Sequence, residues 1–357
     1  MTKSRKNQLA LSFLTAALLV QGCANREASE VQNTAVIAEE QREEEPMSAV
    51  RGEWPEEKTQ STEKDFVTEE IGVTFIDDIG RTVTVESHDR VVTLIGSFTD
   101  IWLLAGGEVV GAANDSFDSF DLALGEDVVN IGSHIAPDIE KIIAVKPDFV
   151  IASANTDADM DMEKILTEAD VTVAYFSVSN FNEYLNMLEI CTDITGRKDL
   201  YEQNGVMVQR QVDAARERVN QRTLAGEKAP TIAFFRASAS SIKAKGSYGN
   251  VGGEMLADLG CINIADDDDS LLDTLSMEAV IAADPDFIFV TTQGKDAGAV
   301  QRNIEDTLLN NPAWNQLTAV KEGRYFILEK ELYNLKPNAR WGEAYLGLAD
   351  ILYGEEP

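Results

Sequence analysis

Short apolar runs alternate along this chain with stretches whose apolar residues recur every three or four positions. Arg90-Val-Val-Thr-Leu-Ile95, Glu108-Val-Val-Gly-Ala-Ala113, Val171-Thr-Val-Ala-Tyr-Phe176, Thr231-Ile-Ala-Phe-Phe235 and Tyr325-Phe-Ile-Leu328 are brief and rich in β-branched and aromatic residues. That pattern predicts buried strands. Ile71 to Val85 alternates apolar and polar residues around Asp77-Asp-Ile-Gly80, which predicts a hairpin. Helical spacing predicts helices from Phe98 to Gly106, with Ser97 or Thr99 available as cap, from about Phe181 to Thr195, and from near Val251 to Gly260. Asn311-Pro-Ala-Trp314 opens another, and a last helix begins at Arg340 and Trp341 and runs to about Tyr353. Strands alternating with helices predict an α/β fold with mainly parallel sheets and right-handed crossovers.

One helix-turn-strand unit occurs twice. Glu140-Lys-Ile-Ile-Ala-Val-Lys-Pro-Asp-Phe-Val-Ile151 returns as Glu278-Ala-Val-Ile-Ala-Ala-Asp-Pro-Asp-Phe-Ile-Phe289, with glutamate, isoleucine, alanine, proline, aspartate and phenylalanine in register. Copies this far apart predict two lobes of like architecture and a cleft between them, where ligands usually bind. From Asp199 to about Gln221, Val208, Val212, Ala215 and Val219 fall on one helical face. About 23 residues of helix would reach roughly 35 Å, enough to join the lobes as a single rod. The expected division is a first lobe over residues 66–196, a connecting helix over 197–225 and a second lobe over 226–357.

The amino terminus is different in kind. Lys3, Arg5 and Lys6 precede the apolar run Leu9 to Val20, which is too short for a membrane span of about 20 residues. This is a signal-peptide pattern over residues 1–23. Its end, Val20-Gln-Gly-Cys23, resembles a bacterial lipobox, whose cysteine is acylated; an ordinary secretory signal with an incidental cysteine is the alternative. Residues 24–65 are rich in glutamate and poor in apolar residues, as expected of a solvated, disordered tether. The expected location is outside the cytoplasm, anchored by lipid, with the periplasm and the outer face of the cytoplasmic membrane both open.

Charge and chemistry narrow the function. A formal net charge of -32 makes polyanionic nucleic acid an unlikely partner by long-range repulsion. Besides Cys23 only Cys191 and Cys261 occur, both in apolar settings that suit small buried residues. A disulfide between them would bridge the lobes and freeze any hinge. The two histidines, His88 and His134, are too few for a carrier of bare zinc. The acidic run Asp266 to Asp269 lacks the further ligands at set spacings that a calcium site needs. Neither a Cys-x-x-Cys pattern, a serine nucleophile elbow nor a Walker loop is present, so no catalytic residue, resident metal or cofactor is assigned.

The order of motifs is similar to that of the substrate-binding proteins of bacterial ABC importers for iron-siderophore, haem or cobalamin complexes. The resemblance covers Ile71 to Tyr353. It is carried by Asp78-Ile-Gly-Arg-Thr-Val83, Arg90-Val-Val-Thr-Leu, Val110-Gly-Ala, Ile131-Gly-Ser, both copies of the duplicated unit, and Asn311-Pro-Ala-Trp with Ala319-Val-Lys. It implies two Rossmann-like lobes, one connecting helix, a shallow cleft that opens only modestly, and a monomer that docks on a permease with its ATPase and catalyses nothing itself. It further implies that one glutamate per lobe meets arginines on the permease; the matching positions are Glu140 and Glu278. A first-turn glutamate also complements the positive end of a helix, which is the plainer reading.

Ligands of open parallel sheets bind beyond the carboxyl ends of strands. In the first lobe that selects Ser97, Phe98, Asn114, Asp115, Ser133 and His134. In the second it selects Arg236, Lys243, Lys245, Tyr248, Tyr333, Lys336, Arg340 and Trp341. Basic residues gathered there in so acidic a chain point to an anionic ligand, such as a ferric siderophore with carboxylate or catecholate oxygens or a haem with propionates, and Arg236 leads among them. Duller readings stand beside these: Trp341 and Tyr333 as core aromatics, Lys243 and Lys245 as solvent-facing, His134 as a cap or surface residue rather than an iron ligand. Two rival functions remain. Gly246-Ser-Tyr-Gly-Asn-Val-Gly-Gly253 loosely imitates a dinucleotide loop without its spacing, and a surface sensor would need the same cleft as an importer component.

Overall fold

The computed structural model of the chain describes residues 72–267 and 276–354. The signal segment, Cys23, the tether and the end of the acidic run lie outside the described residues. Within the compact unit Val67–Pro357, fourteen strands are described: β1 (Val73–Ile76), β2 (Thr82–Val85), β3 (Val91–Thr93), β4 (Gly111–Ala112), β5 (Val129–Asn130), β6 (Gly132–Ser133), β7 (Ala136–Pro137), β8 (Phe149–Ser153), β9 (Thr172–Phe176), β10 (Thr231–Ala237), β11 (Ile242–Ala244), β12 (Ile262–Asn263), β13 (Phe287–Thr292) and β14 (Tyr325–Ile327).

They form two five-stranded sheets. The first has the order β5-β4-β3-β8-β9 and is parallel throughout. The second runs β11-β10-β13-β14, with β12 also on β10; only β11 is antiparallel. All five residues of β8 are buried, as are Ile232 to Phe235 and Ala237 of β10 and the middle four of β13. This is why these strands read as continuous apolar runs: helices cover both faces. β1 and β2 form the expected hairpin.

The rod between the sheets is helical from Lys198 to Leu224 but not uniform. Lys198–Tyr201 passes through one π-helical turn, Glu202–Val206, into the α-helix Met207–Leu224. Asn204 sets that turn. Its carbonyl accepts from the Tyr184 hydroxyl at 2.8 Å and its amide donates to the Leu104 carbonyl at 2.8 Å. Val208, Val212 and Ala215 are buried as the periodicity predicts.

Two local expectations are corrected. The helix after β3 is Gly96–Leu104, and Ile95, which offers no side-chain bond, occupies its cap position instead of Ser97 or Thr99. The neighbouring short helix Asn114–Asp118 does the work: Gly96 N–H donates to Asp115 Oδ2 at 3.0 Å, while the Thr99 hydroxyl is engaged with Thr93 at 2.6 Å and Ser116 at 2.8 Å. The run Glu108–Ala113 pairs only at Gly111 and Ala112.

Each sheet keeps its own apolar cluster on one face, around Val92, Val150 and Tyr175 in the first and Phe235, Val290 and Trp314 in the second. The other faces share a single core. It runs from Phe98, Phe149 and Phe176 through Phe181, Val212 and Trp341 to Phe234 and Phe289. A large apolar seam resists relative motion of the parts it joins. Cys191 and Cys261 are buried and free, so no disulfide adds to it.

Candidate ligand site

A cavity of about 220 Å³ lies where the carboxyl ends of the two sheets' strands meet. Asn155, just past β8, and Val178 and Ser179, just past β9, come from the first sheet's side. Phe234 and Arg236 on β10, Thr291 on β13 and Lys245 just past β11 come from the second. Gly249, Asn250 and Val251 at a helix start, with Tyr333, Asn334 and Lys336, complete the wall.

Register explains why the cations gather. Lys243, Arg236 and Thr291 stand opposite one another across β11, β10 and β13, so their side chains share a face. Lys245, two residues beyond Lys243, falls on that face too. Lys336 reaches in from the final connection, its ammonium 5.5 Å from the centroid of the Phe98 ring. Burial lowers the pKa of Arg236. Burial, then repulsion from Arg236 and Lys243, lowers that of Lys245. Burial also lowers that of Lys336, against the opposing pull of the Asp115 and Glu183 carboxylates. No aspartate or glutamate lines the cavity among the described residues.

The sequence-selected residues therefore divide. Arg236, Lys245, Tyr333 and Lys336 line the cavity, and Phe98 backs Lys336 from inside the core. Tyr333 turns its hydroxyl away, donating to the Ala344 carbonyl at 3.1 Å. Lys243 is exposed beside Arg236 and not in the wall. Tyr248, 78% exposed, borders a separate hollow with Arg216, Asp258 and Tyr345.

Trp341 is corrected: it is fully buried against Phe181 and Tyr345 and offers no surface to a ligand. Arg340 is corrected too, because Glu343 grips it at 2.7 and 2.8 Å and Glu329 at 3.3 Å, leaving no charge unmet. Ser97, Asn114, Ser133 and His134 lie outside the wall. Ser97 is buried with its backbone carbonyl bound by Asn338 at 2.9 Å. Asn114 opens a short helix, and the Ser133 hydroxyl accepts from Ile135 N–H at 3.3 Å within a small hairpin. His134 Nδ1 stands 3.8 Å from Asp115 Oδ2, too far for a hydrogen bond. No cluster of ligating side chains able to hold a metal ion occurs among the described residues.

Asn155, Ser179, Asn250, Thr291 and Asn334 were missed by the sequence reading. The strand-end rule, applied to β8, β9 and β13 as well as to the first strands, would have found Asn155, Ser179 and Thr291. The glycines of the 246–253 segment have a packing explanation in place of a dinucleotide one. A Cβ on Gly253 would lie 2.3 Å from the Gly246 carbonyl oxygen, so the turn closes only on glycine.

Beside the cavity is a larger hollow of about 720 Å³ bounded by Asp118, Lys295, Glu329 and Lys330. Its lining carries both signs of charge: Lys295 pairs with Asp118 and Glu329 with Arg340, Lys330 donates to the Gly294 carbonyl at 3.3 Å, and Glu331 also borders it. Among the described residues, the charged side chains lining the smaller cavity are all cationic.

Glu140 and Glu278 are both exposed in the first turns of the duplicated helices Ile139–Ala144 and Met277–Ala283. Asp138 and Ser276 cap those helices, accepting from Lys141 N–H and Ala279 N–H, each at 3.3 Å. Ile143 and Ile281, three residues further on, are exposed as well.

A family model described as periplasmic binding protein matches residues 91–332. The uncharacterized ABC transporter substrate-binding lipoprotein YvrC of Bacillus subtilis is 25% identical over 291 residues, 80% of this chain and 87% of that one. The Fe(3+)-citrate-binding protein YfmC of Bacillus subtilis is 25% identical over 270 residues, 72% of this chain and 78% of that one. Among solved structures, Staphylococcus aureus SirA complexed with staphyloferrin B has the same fold, with a TM-score of 0.60 at 21% identity over 79% of this chain and 97% of that one.

Proposed function

The chain belongs to the periplasmic binding protein family, and on that footing we propose that it captures an iron complex outside the cytoplasm and delivers it to an ABC permease with its ATPase. The observation that carries the reading is the cavity at the meeting of the strand ends, walled by Arg236, Lys245 and Lys336 and free of acidic side chains among the described residues. A binding protein needs a site that is preorganised and electrostatically unfinished, so that the ligand completes it. The names of the two similar Bacillus subtilis proteins, a substrate-binding lipoprotein and a ferric-citrate binder, favour the same assignment.

In this reading Cys23 carries the lipid and residues 24–65 are the tether. Residues 66–196 and 226–357 are the lobes joined through 197–225, and the chain acts by binding alone. No helix among the described residues is long and apolar enough to cross a membrane. Glu140 and Glu278 are the contacts for permease arginines. Their exposure and the neighbouring isoleucines support a charged and partly apolar docking patch on each lobe.

Deleting the gene tests the function. Uptake of at least one radiolabelled iron complex should be lost and restored by the intact gene. Unchanged uptake of ferric siderophores, ferric citrate and haem alike would refute the assignment.

A further inference from the structure

Arg236 is anomalous for this protein. Among the described residues the other well-shielded arginines have found carboxylates: Arg81 holds Asp77 and Glu163, Arg216 holds Asp258, Arg218 holds Asp350, and Arg324 holds Glu322. Arg236, Lys245 and Lys336 form no direct ion pair among the described residues, and only Lys336 feels carboxylates, Asp115 and Glu183, at longer range, although acidic residues outnumber basic ones 62 to 30. Beside Arg236 in the sheet, Thr291 is 1% exposed, lines the cavity, and leaves its hydroxyl oxygen without a hydrogen-bond partner. A buried hydroxyl without a partner is costly, so Thr291 presents an unsatisfied donor in the cavity wall.

The wall also shows what does not fit. Haem iron is held by an axial histidine, cysteine, methionine or tyrosine. The wall holds only Tyr333 of these, and its hydroxyl is committed to Ala344. A cavity of about 220 Å³ lies below the roughly 300–1,000 Å³ of drug-sized sites, and its apolar side chains are few: Val178, Phe234 and Val251, with the Tyr333 ring. A broad apolar macrocycle, haem or corrinoid, would find neither room nor walls. Tris-catecholate chelates match the charge but bring three aromatic rings, and the cavity offers about 220 Å³ with Phe234 and Tyr333 as its only aromatic side chains among the described residues. Neutral or cationic hydroxamate chelates gain nothing from three unpaired cations.

From this we infer that the cavity selects a compact ferric chelate of the hydroxycarboxylate class. Arg236 takes one free carboxylate through its planar fork, Lys245 and Lys336 neutralise others, and Thr291 donates to a further oxygen. The inference rests on the assignment of this chain as an iron-complex binder and narrows it to one ligand chemistry.

Calorimetric titration of the full-length chain in detergent tests it, with ferric citrate, a ferric tris-catecholate, ferrioxamine B, haem and cyanocobalamin as probes. Ferric citrate should bind saturably and more weakly as salt rises. Arg236→Gln with Lys245→Gln should weaken it by about tenfold or more, as expected for lost charge-assisted hydrogen bonds. Thr291→Val, which keeps shape and volume, should weaken it several-fold and guards against misfolding of the double variant. Binding of haem, catecholate, ferrioxamine or cyanocobalamin without ferric citrate overturns the ligand class; in the first three cases iron capture still stands. Heat from none of the iron probes overturns both. Ferric citrate binding that is unmoved by all three substitutions refutes the cavity as its site.

Discussion

Asp159 is fully buried, with Oδ2 accepting the Ser153 N–H at 2.8 Å and Oδ1 unpartnered. Removal from water, reinforced by the Asp115 carboxylate and opposed by the Ser153 bond, raises its pKa from 3.8 to about 7. The unfolded chain gives up this proton near the ordinary value and the folded chain only near neutrality. Between the two the folded state holds more protons, so stability falls as pH rises, and the penalty is complete above about 7. Asp159→Asn preserves the acceptor for Ser153 and cannot ionise. It should stabilise the protein by about 1–3 kcal/mol at pH 8, fading towards zero near pH 4. Urea unfolding at the two pH values checks this; an equal effect at both would remove the ionisation argument. Single residues also show the limit of composition as a guide. Arg236 and Arg340 are the same side chain at strand end and helix start, yet one is unpaired and the other is held by two glutamates.

At the scale of elements, the helix Val251–Asp258 closes one side of the cavity and depends on close backbone approach. A Cβ on Gly252 would come within 2.4 Å of Phe234 Cζ and 2.9 Å of the Tyr333 carbonyl oxygen. Gly252→Ala should therefore destabilise the protein by roughly 1–3 kcal/mol through overpacking, although alanine is the better helix former by about 1 kcal/mol. Because Phe234 must yield, ligand affinity should fall as well. Denaturant unfolding would show the first effect and titration the second; a more stable alanine variant would mean the helix has room that this packing denies. The helix Phe181–Ile194 illustrates the opposite case, where local sequence suffices. Asn180 and Glu183 form a reciprocal capping box, so its start is legible without any tertiary information. The start of the helix Gly96–Leu104 could not be placed that way, because its capping group, Asp115, comes from another helix.

For the whole molecule, the shared inner core is the feature that most constrains function. Phe181, Trp341 and Tyr345 pack together between the two sheets, and Asn338 donates to Ser97 O and to Asp100 Oδ2 at 2.9 and 2.7 Å. Lobes tied in this way give a binding protein little scope for wide hinge motion, and a transporter would sense the pair as a nearly fixed ruler. Glu140→Ala with Glu278→Ala should then abolish uptake while leaving ligand affinity within about twofold, since neither side chain lines the cavity. Paired uptake and titration measurements decide it: normal uptake, or lost binding, would end the docking assignment.

The α/β class, the alternation of strands and helices, the duplicated unit and the rod were all legible in the chain, because periodicity and β-branched runs are local properties. So was the tendency of the site to lie at strand ends, which brought Arg236, Lys245 and Lys336 forward. What only the tertiary structure decided is which charges are left unanswered and which aromatics are spent on packing. Trp341 and Phe234 look alike along the chain; both belong to the common core, but only Phe234 also borders the cavity. That difference depends on neighbours distant in sequence, and the energy of a buried ion or ring is set by those neighbours, not by the residues beside it in the chain.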